Sequence, residues 1–257
     1  MRIALVTQDD RYYVPRLIAA VMAERADDVV AVTILPGETQ AGNIRKYAEF
    51  MGVLDFARQG MRYAGYSVLN ALFRRGIRDQ YWSVGAVARR YRTPILQVAD
   101  VNDQGHLARL EELDVDLVVS IAAPQIFQPQ LLALPRQGCI NIHNALLPEY
   151  QGMLPSFWVL ANDERVTGTT VHFMNEAIDA GDIIVQERFN ITGEDTLHSL
   201  VCRTKIEIGP RLLLEAISRI EAGTVEARPM DLASGSYFSF PDRDAVARFR
   251  GHGRKFR

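Results

Sequence analysis

The chain predicts an α/β fold: a mostly parallel sheet with helices packed on both faces. Three observations carry that prediction. Short, continuously apolar runs recur at residues 2–7, 28–35, 94–98 and 115–122, as expected of strands covered on both sides. Between them lie stretches whose apolar residues return at helical spacing. With 257 residues, 48% of them hydrophobic, there is material for one sizeable core, or for a large domain with a small appendage. Strands alternating with helices imply parallel strands and right-handed crossovers.

Taken in order, residues 2–7 are the first buried strand and Gln8-Asp9-Asp10 the loop after it. Residues 14–25 form a helix with Val14, Leu17, Ile18 and Val21 on its sheet-facing side, and the Val-rich run 28–35 is the second strand. This βαβ opening is Rossmann-like, yet its first turn lacks Gly-x-Gly-x-x-Gly, which disfavours a nicotinamide or flavin cofactor. Residues 39–79 interrupt the alternation. Phe50, Val53, Leu54, Ala57, Met61, Ala64, Val68 and Leu72 recur at helical spacing, with Asp55, Arg58, Gln59 and Arg62 on the opposite side. An amphipathic helical insertion is expected, its apolar stripe packing on its own domain or on a second subunit in a homodimer. Arg74, Arg75 and Arg78 leave a membrane-surface or partner contact as the alternative.

The alternation then resumes with a helix at 83–91, a strand at 94–98, a helix at 104–113 and the most apolar strand at 115–122. Residues 123–127 make the loop at its carboxyl end, and a short helix at 130–134 leads to a strand starting at Cys139. Beyond Pro148 come a helix at 156–161, strands at 168–173 and 183–189 around the loop 175–182, and a helix at 196–221. Asp195 or Thr192 stands near the start of that helix, and Gly209-Pro210 predicts a kink or restart within it. An extended piece at 235–240 and a helix begun near Asp242 complete the chain.

A net charge of −2 gives no general nucleic-acid signature, and the local basic cluster at 248–257 reads as a solvated tail. Cys139 and Cys202 are expected as small hydrophobic fillers, in keeping with a reducing cytoplasm. The N-terminus is wrong for a signal peptide, no apolar stretch is long enough to span a bilayer, and no metal-ligand spacing occurs. A cytoplasmic location follows as an expectation.

The chemistry concentrates at Cys139-Ile-Asn-Ile-His143. Alternation along a strand puts Asn141 and His143 on one face, and Leu147-Pro148 is expected to stop that strand. Both residues then lie near a strand's carboxyl end, where open α/β sheets bind ligands. With Asp179 they make an amide, an imidazole and a carboxylate that suit acyl-type transfer to an amine. A carboxylate orients an imidazole, and donors stabilise the oxyanion of a tetrahedral intermediate. No Ser or Cys is placed as a nucleophile, so direct transfer is preferred. On residues alone, His143 also reads as a structural hydrogen-bonding group and Asp179 as a turn aspartate. His172, in an alternating strand, reads as structural, and His106, His198 and His252 have no partner spacing.

Asn141-Ile-His143-Asn-Ala-Leu-Leu-Pro148, then Tyr150-Gln-Gly152, Gly168-Thr-Thr-Val-His-Phe173 and Ile178-Asp-Ala-Gly181, resemble the signature of the 10-formyltetrahydrofolate-dependent formyltransferases. That family includes the glycinamide ribonucleotide, methionyl-tRNA and nucleotide-sugar enzymes. The resemblance is clearest from about Asp114 to Pro210. It implies the formyltransferase fold, with residues 1–222 as the catalytic domain carrying the insertion and 223–257 as a short C-terminal extension. It implies 10-formyltetrahydrofolate as co-substrate, no metal, and Asn141, His143 and Asp179 as the catalytic residues. It further implies a pterin held between Gln125-Ile126-Phe127 and Asn175-Glu176-Ala177-Ile178, read by backbone groups.

Departures from the family's pattern narrow the acceptor. Ala145 stands where the family has a serine, and Gln8-Asp9-Asp10 replaces the glycine-rich phosphate loop of the glycinamide ribonucleotide enzymes. The roughly 35 residues after the last long helix are short for the C-terminal barrel of methionyl-tRNA formyltransferases, so nucleic acid is not expected as a partner. The expected acceptor is therefore a small-molecule amine, with an amino-sugar nucleotide as the leading class. Phe157 or Trp158 is a candidate for stacking on it, with packing inside the helix as the plainer alternative. The rivals are a formyltetrahydrofolate hydrolase, a methionyl-tRNA formyltransferase-like protein, and a non-catalytic folate- or partner-binding protein that uses residues 39–79 as its interface.

Overall fold

The computed structural model describes residues 1–37 and 44–257, so the first residues of the predicted 39–79 insertion lie outside the described part. Strand β1 (Ile3–Gln8) is an interior strand of a seven-stranded sheet. After helix α1 (Val14–Arg25), β2 (Val29–Leu35) pairs parallel to β1. Helices α2 (Ile44–Met51), α3 (Val53–Leu72) and α4 (Val84–Tyr91) precede β3 (Ile95–Gln97), which adds to the β2 edge. The chain then crosses back through α5 (Gln104–Glu112) to β4 (Leu117–Ile121), on the other side of β1. Helix α6 (Pro129–Ala133) connects β4 to β5 (Cys139–His143), again in parallel. Beyond a two-residue strand β6 (Gln151–Gly152) and helix α7 (Pro155–Ala161), the antiparallel hairpin β7 (Val166–Phe173) and β8 (Ile183–Asn190) closes the sheet.

The strand order β3-β2-β1-β4-β5-β7-β8 thus reverses between β1 and β4, which creates the crevice that open α/β sheets use for ligands. Alternate residues of each strand divide between two cores. Ile3, Leu5 and Ile140 pack against Leu17, Val21 and Val87, joined by Leu213 and Ile217 of the last long helix. Ala4, Val6 and Cys139 pack against Leu107, Leu110 and Leu131 of α5 and α6. Helices on both faces of a mostly parallel sheet are therefore observed as predicted.

Several local expectations change. Strand β5 ends at His143 rather than at Leu147-Pro148: its last ladder partner on β4 is Ile121, opposite Ile142, and its last on β7 is Thr170, opposite His143. The predicted 196–221 helix is three pieces: α8 (Leu197–Cys202), a π-helical turn at Arg203–Ile208, and α9 (Gly209–Glu221), with Pro210 in its first turn. Pro210 brings no N–H to the ladder, so the widened turn lies where a regular helix would be broken. The cap of α8 is Thr196, whose hydroxyl accepts from Ser199 N while Ser199 Oγ accepts from Thr196 N.

The C-terminus is docked through Phe249, Arg254 and Phe256, while Arg248, Arg250, Lys255 and Arg257 stay exposed as a solvated tail would have them. A third core forms from Phe50, Phe157, Trp158 and the tail residues Phe249 and Phe256, the latter pair lying on or just after α10 (Arg243–Gly251). Lys255 O and Phe256 O accept from Leu197 N and His198 N, two first-turn donors of α8 that have no partner within their own helix. Arg254 is buried and donates to Thr192 O at 2.6 Å and to Asp163 Oδ1 at 3.2 Å. Phe157 and Trp158 belong to this core too. Trp158 donates its indole N–H to Ser239 O and stacks at 4.7 Å on Phe238 of strand β9 (Tyr237–Phe238), so neither ring is free to stack on a ligand.

The helical insertion breaks at Gly52, where φ is 83°, and α3 has no buried residue. Its apolar stripe does not pack on its own domain. The side of α3 that faces the domain carries polar and aromatic groups instead: Tyr12 Oη donates to Gln59 O, the Arg62 guanidinium lies over the Tyr12 ring, and Ser83 Oγ donates to Asn70 Oδ1.

Candidate active site

Asn141 and His143 leave the same face of β5, and the antiparallel register pairs Asn141 with His172 on β7. Asp179 arrives from the loop between β7 and β8, where its φ of 49° turns the side chain back over the sheet. Gly181 allows that loop to close: an added Cβ would lie 2.0 Å from Phe173 O. The Asn141 amide donates to Asp179 Oδ1 at 3.2 Å, and the other carboxylate oxygen accepts from Gly152 N at 2.9 Å. His143 Nδ1 stands 3.4 Å from Asp179 Oδ2. The three residues singled out in the sequence therefore meet.

The protonation pattern can be read from partners. His143 Nε2 faces the Tyr150 carbonyl at 2.8 Å, which only accepts, so Nε2 carries the proton. Nδ1 then presents a lone pair towards Asp179 unless the ring is charged. Burial pushes the His143 pKa down, and the Asp179 carboxylate and Tyr150 carbonyl offset only part of that, so the ring is neutral at neutral pH. Burial acts to raise Asp179, but His143, His172 and the Gly152 N–H together outweigh it and hold the carboxyl well below its usual range. A neutral imidazole beside a fixed carboxylate is a poised proton acceptor.

His172 joins the cluster, although its alternating strand gave only a structural reading. Its Nδ1 donates to Phe173 O at 2.7 Å, and Nε2 accepts from Asn141 Nδ2 at 3.3 Å while lying 3.5 Å from Asp179 Oδ1. Cross-strand pairing brings it there, and nothing local in the sequence marks that pairing. His106 by contrast is structural, held between Thr33 Oγ1 and Val101 O.

Around the trio opens a cleft of about 420 Å³, which Gln8, Ser120 and Ala122 reach from the ends of β1 and β4. Both predicted cofactor loops line it. Gln125, Ile126 and Phe127 stand on one side, with the Gln125 side chain tied to Val101 N and Ala99 O and the Phe127 ring buried in the α5–α6 core. Asn175, Glu176, Ala177 and Ile178 also line it, and Asn175 Oδ1 accepts from Ala177 N. Ile126 and Ile178 are 60% and 41% exposed, apolar surface left uncovered by the protein itself. Lys205, on the π turn, lines the cleft as well. Burial lowers its pKa, with Asp10 acting the other way, and no motif in the sequence had pointed to it. Among the described residues no cluster of His, Cys, Asp or Glu could hold a metal ion.

The sheet thus carries a switch-point cleft with Asn141, His143 and Asp179 at its floor and two loops over it. The Formyl transferase family pattern matches residues 1–217, and the chain belongs to that family. It is 33% identical to the methionyl-tRNA formyltransferase of Kosmotoga olearia over 200 residues, which are 73% of this chain and 63% of that protein. The chain thus spans less than two thirds of that relative's length. Among solved structures, it superposes on glycinamide ribonucleotide transformylase 1 of Symbiobacterium toebii with a TM-score of 0.62 at 20% identity, over 90% of this chain and 94% of that one. The N-formyltransferase of Helicobacter canadensis, solved with folinic acid and dTDP-3-aminofucose, gives 0.59 at 20% identity, over 95% and 72%. At these identities the superpositions speak for the fold.

Proposed function

We propose that this protein transfers the formyl group of 10-formyltetrahydrofolate to a primary amine, with Asn141, His143 and Asp179 as the reacting trio. The observation that carries the reading is the convergence of these three side chains, with Asp179 3.2 Å from Asn141 and 3.4 Å from His143, at the floor of a cleft in a chain of this family. The uncovered Ile126 and Ile178 side chains support a flat pterin held between the two loops.

The amine nitrogen attacks the formyl carbon, and the carbonyl electron pair moves onto oxygen. The Asn141 amide donates to that oxygen, releasing its longer bond, the 3.3 Å contact to His172. His143 Nδ1 takes the amine proton, and the resulting imidazolium sits 3.4 Å from the Asp179 carboxylate. Collapse of the intermediate breaks the bond to the folate N10, and the proton passes to that leaving nitrogen. Asp179 holds both partners in place throughout.

The acceptor class follows by elimination. Asp10 Oδ1 accepts from Tyr12 N and Tyr13 N, so the N–H groups at the start of α1 that a phosphate loop would offer are already taken by a carboxylate. This disfavours a glycinamide ribonucleotide and leaves an amino-sugar nucleotide as the leading small acceptor. A second reading, methionyl-tRNA as acceptor, is favoured by the 33% identity to the Kosmotoga olearia enzyme.

The test is to incubate the protein with 10-formyltetrahydrofolate, alone and with amino-sugar nucleotides, simple amines or methionyl-tRNA, and to follow tetrahydrofolate. Amine-dependent release is expected. Release without any amine would make the protein a hydrolase, and binding without turnover would make it a folate-binding protein. His143→Ala is expected to abolish turnover with the fold retained; a near-normal rate would sink the mechanism.

A further inference from the structure

Helix α3 is turned inside out. Its polar face rests on the domain, while Val53, Leu54, Met61, Val68 and Leu72 stand 79, 75, 69, 59 and 68% exposed on the other. A helix normally buries its apolar stripe, so this face lacks a partner within the chain's described residues. The stripe is also regular. Leu54, Ala57, Met61, Ala64, Val68 and Ala71 follow spacings of three and four, the heptad seam of a helix pair, and large residues alternate with alanine along it.

We propose that α3 is a self-association surface that pairs two copies of this chain antiparallel about a two-fold axis. Antiparallel registers that oppose the two kinds of seam position set large side chains against alanines, and one of them pairs all six. With the axis between Met61 and Ala64, Leu54 meets Ala71 of the second copy, Ala57 meets Val68 and Met61 meets Ala64, so each large side chain faces a small one. Gly60 and Gly65 flank the seam, and at both an added Cβ would find nothing within 4 Å on its own chain, which leaves room for close approach. A parallel pair would instead set large against large and alanine against alanine, alternating clashes with gaps.

Charge agrees with this direction. Antiparallel pairing opposes the two helix dipoles, so each α3 sets its N-terminal end beside the C-terminal end of the other. The seam supplies on the order of 500–700 Å² per copy, close to the roughly 800 Å² per partner of a standard interface. A lipid surface fits less well. Half of the seam positions are alanine, which gain little from insertion, and the largely exposed Arg58 flanks the stripe in ion-pair reach of Asp55.

The experiment is sedimentation of the full chain over about 1–100 µM, where an interface of this size populates both forms. A reversible monomer–dimer equilibrium is expected, and Met61→Asp is expected to weaken it at least tenfold without loss of helicity. A monomer at every concentration, or a dimer indifferent to Met61→Asp, overturns the proposal. Direction is read by disulfide trapping. The double variant Leu54→Cys/Ala71→Cys should form a covalent dimer under mild oxidation, while Leu54→Cys alone should not, since antiparallel copies hold the two 54 positions roughly 26 Å apart along the axis. Trapping by Leu54→Cys alone overturns the antiparallel register. Flotation with anionic vesicles by a protein that is monomeric in solution, lost in Met61→Asp, would assign the face to a lipid surface instead. All of these readouts are mass or binding, so they stand apart from any test of formyl transfer.

Discussion

The carboxyl end of β5 and the outer face of α3 depart from ordinary burial in opposite senses. At β5, two imidazoles and a carboxylate are drawn into the interior, and each finds partners: His143 at Tyr150 O, His172 at Phe173 O, Asp179 at Asn141 and Gly152. At α3, Leu54, Met61 and Val68 are left outside with none among the described residues. The difference teaches how each region is held. Polar groups inside a protein are costly unless satisfied, so the β5 cluster is rigid and every atom in it is sensitive to change. Apolar groups outside cost the monomer little, so α3 is free to be shaped by something other than the stability of its own fold.

The sharpest way to break this contrast is at Asp179. Asp179→Asn removes the charge that steadies the His143 imidazolium, and turnover is expected to fall by about 10³-fold, within the range attributed to acid–base groups. A steady-state assay reads it; a loss below about tenfold would remove Asp179 from the mechanism. Next is the contrast within the insertion. Phe50 of α2 is buried against Phe157 and Phe256, so Phe50→Ala is expected to cost about 3 kcal/mol in urea unfolding. Arg254→Met leaves Thr192 O and Asp163 without their donor in a buried site and is expected to cost about 2 kcal/mol by the same measurement, while a truly solvated tail would show none.

Acid should act on the β5 cluster with a definite sign. His143 has its folded pKa below the ordinary value of about 6.5, so between the two values the unfolded chain binds the extra proton and stability falls as the pH is lowered. Asp179, also depressed, contributes stability that is present above its unfolded value and is lost as the pH drops through its folded one. Both effects point the same way, so His143→Gln should flatten the upper part of the acid unfolding curve. The acid limb of kcat/KM should likewise lie below the ordinary histidine range. The smallest expected effect belongs to α3: Met61→Ser should change monomer stability by less than about 0.5 kcal/mol at dilutions where no dimer forms.

Legibility in the sequence followed the range of the forces involved. Strand runs, helix periods and a helix start near Asp242 are local, and apart from the end of β5 and the broken 196–221 helix their elements appear within a residue or two of where the sequence placed them. Asn141, His143 and Asp179 were reached because strand alternation and a family motif are both written along the chain. His172 was underrated because its role arises from cross-strand register with Asn141, and Lys205 was missed because it depends on the π turn before Pro210. The solvated reading of the tail holds for Arg248, Arg250, Lys255 and Arg257 and misses Arg254 for a related reason. The carbonyls of Lys255 and Phe256 accept from the unpartnered N–H groups of α8, and the Arg254 guanidinium donates to Thr192 O and Asp163, contacts that no local pattern in the tail announces.

By itself, then, the sequence determined a mostly parallel α/β sheet, its helices on both faces, and the strand end that carries the chemistry, because apolar period and strand alternation are properties of neighbouring residues. Tertiary structure alone decided that Asp179 folds back onto that strand end, that His172 stands beside it, that the basic tail caps α8, and that α3 faces its apolar stripe outward. The amphipathic period of α3 is the same whichever way the helix is turned. Only the ring of Tyr12, which meets Tyr66 of α3, and the hydroxyl of Ser83, both brought to its polar side by the rest of the fold, choose between them.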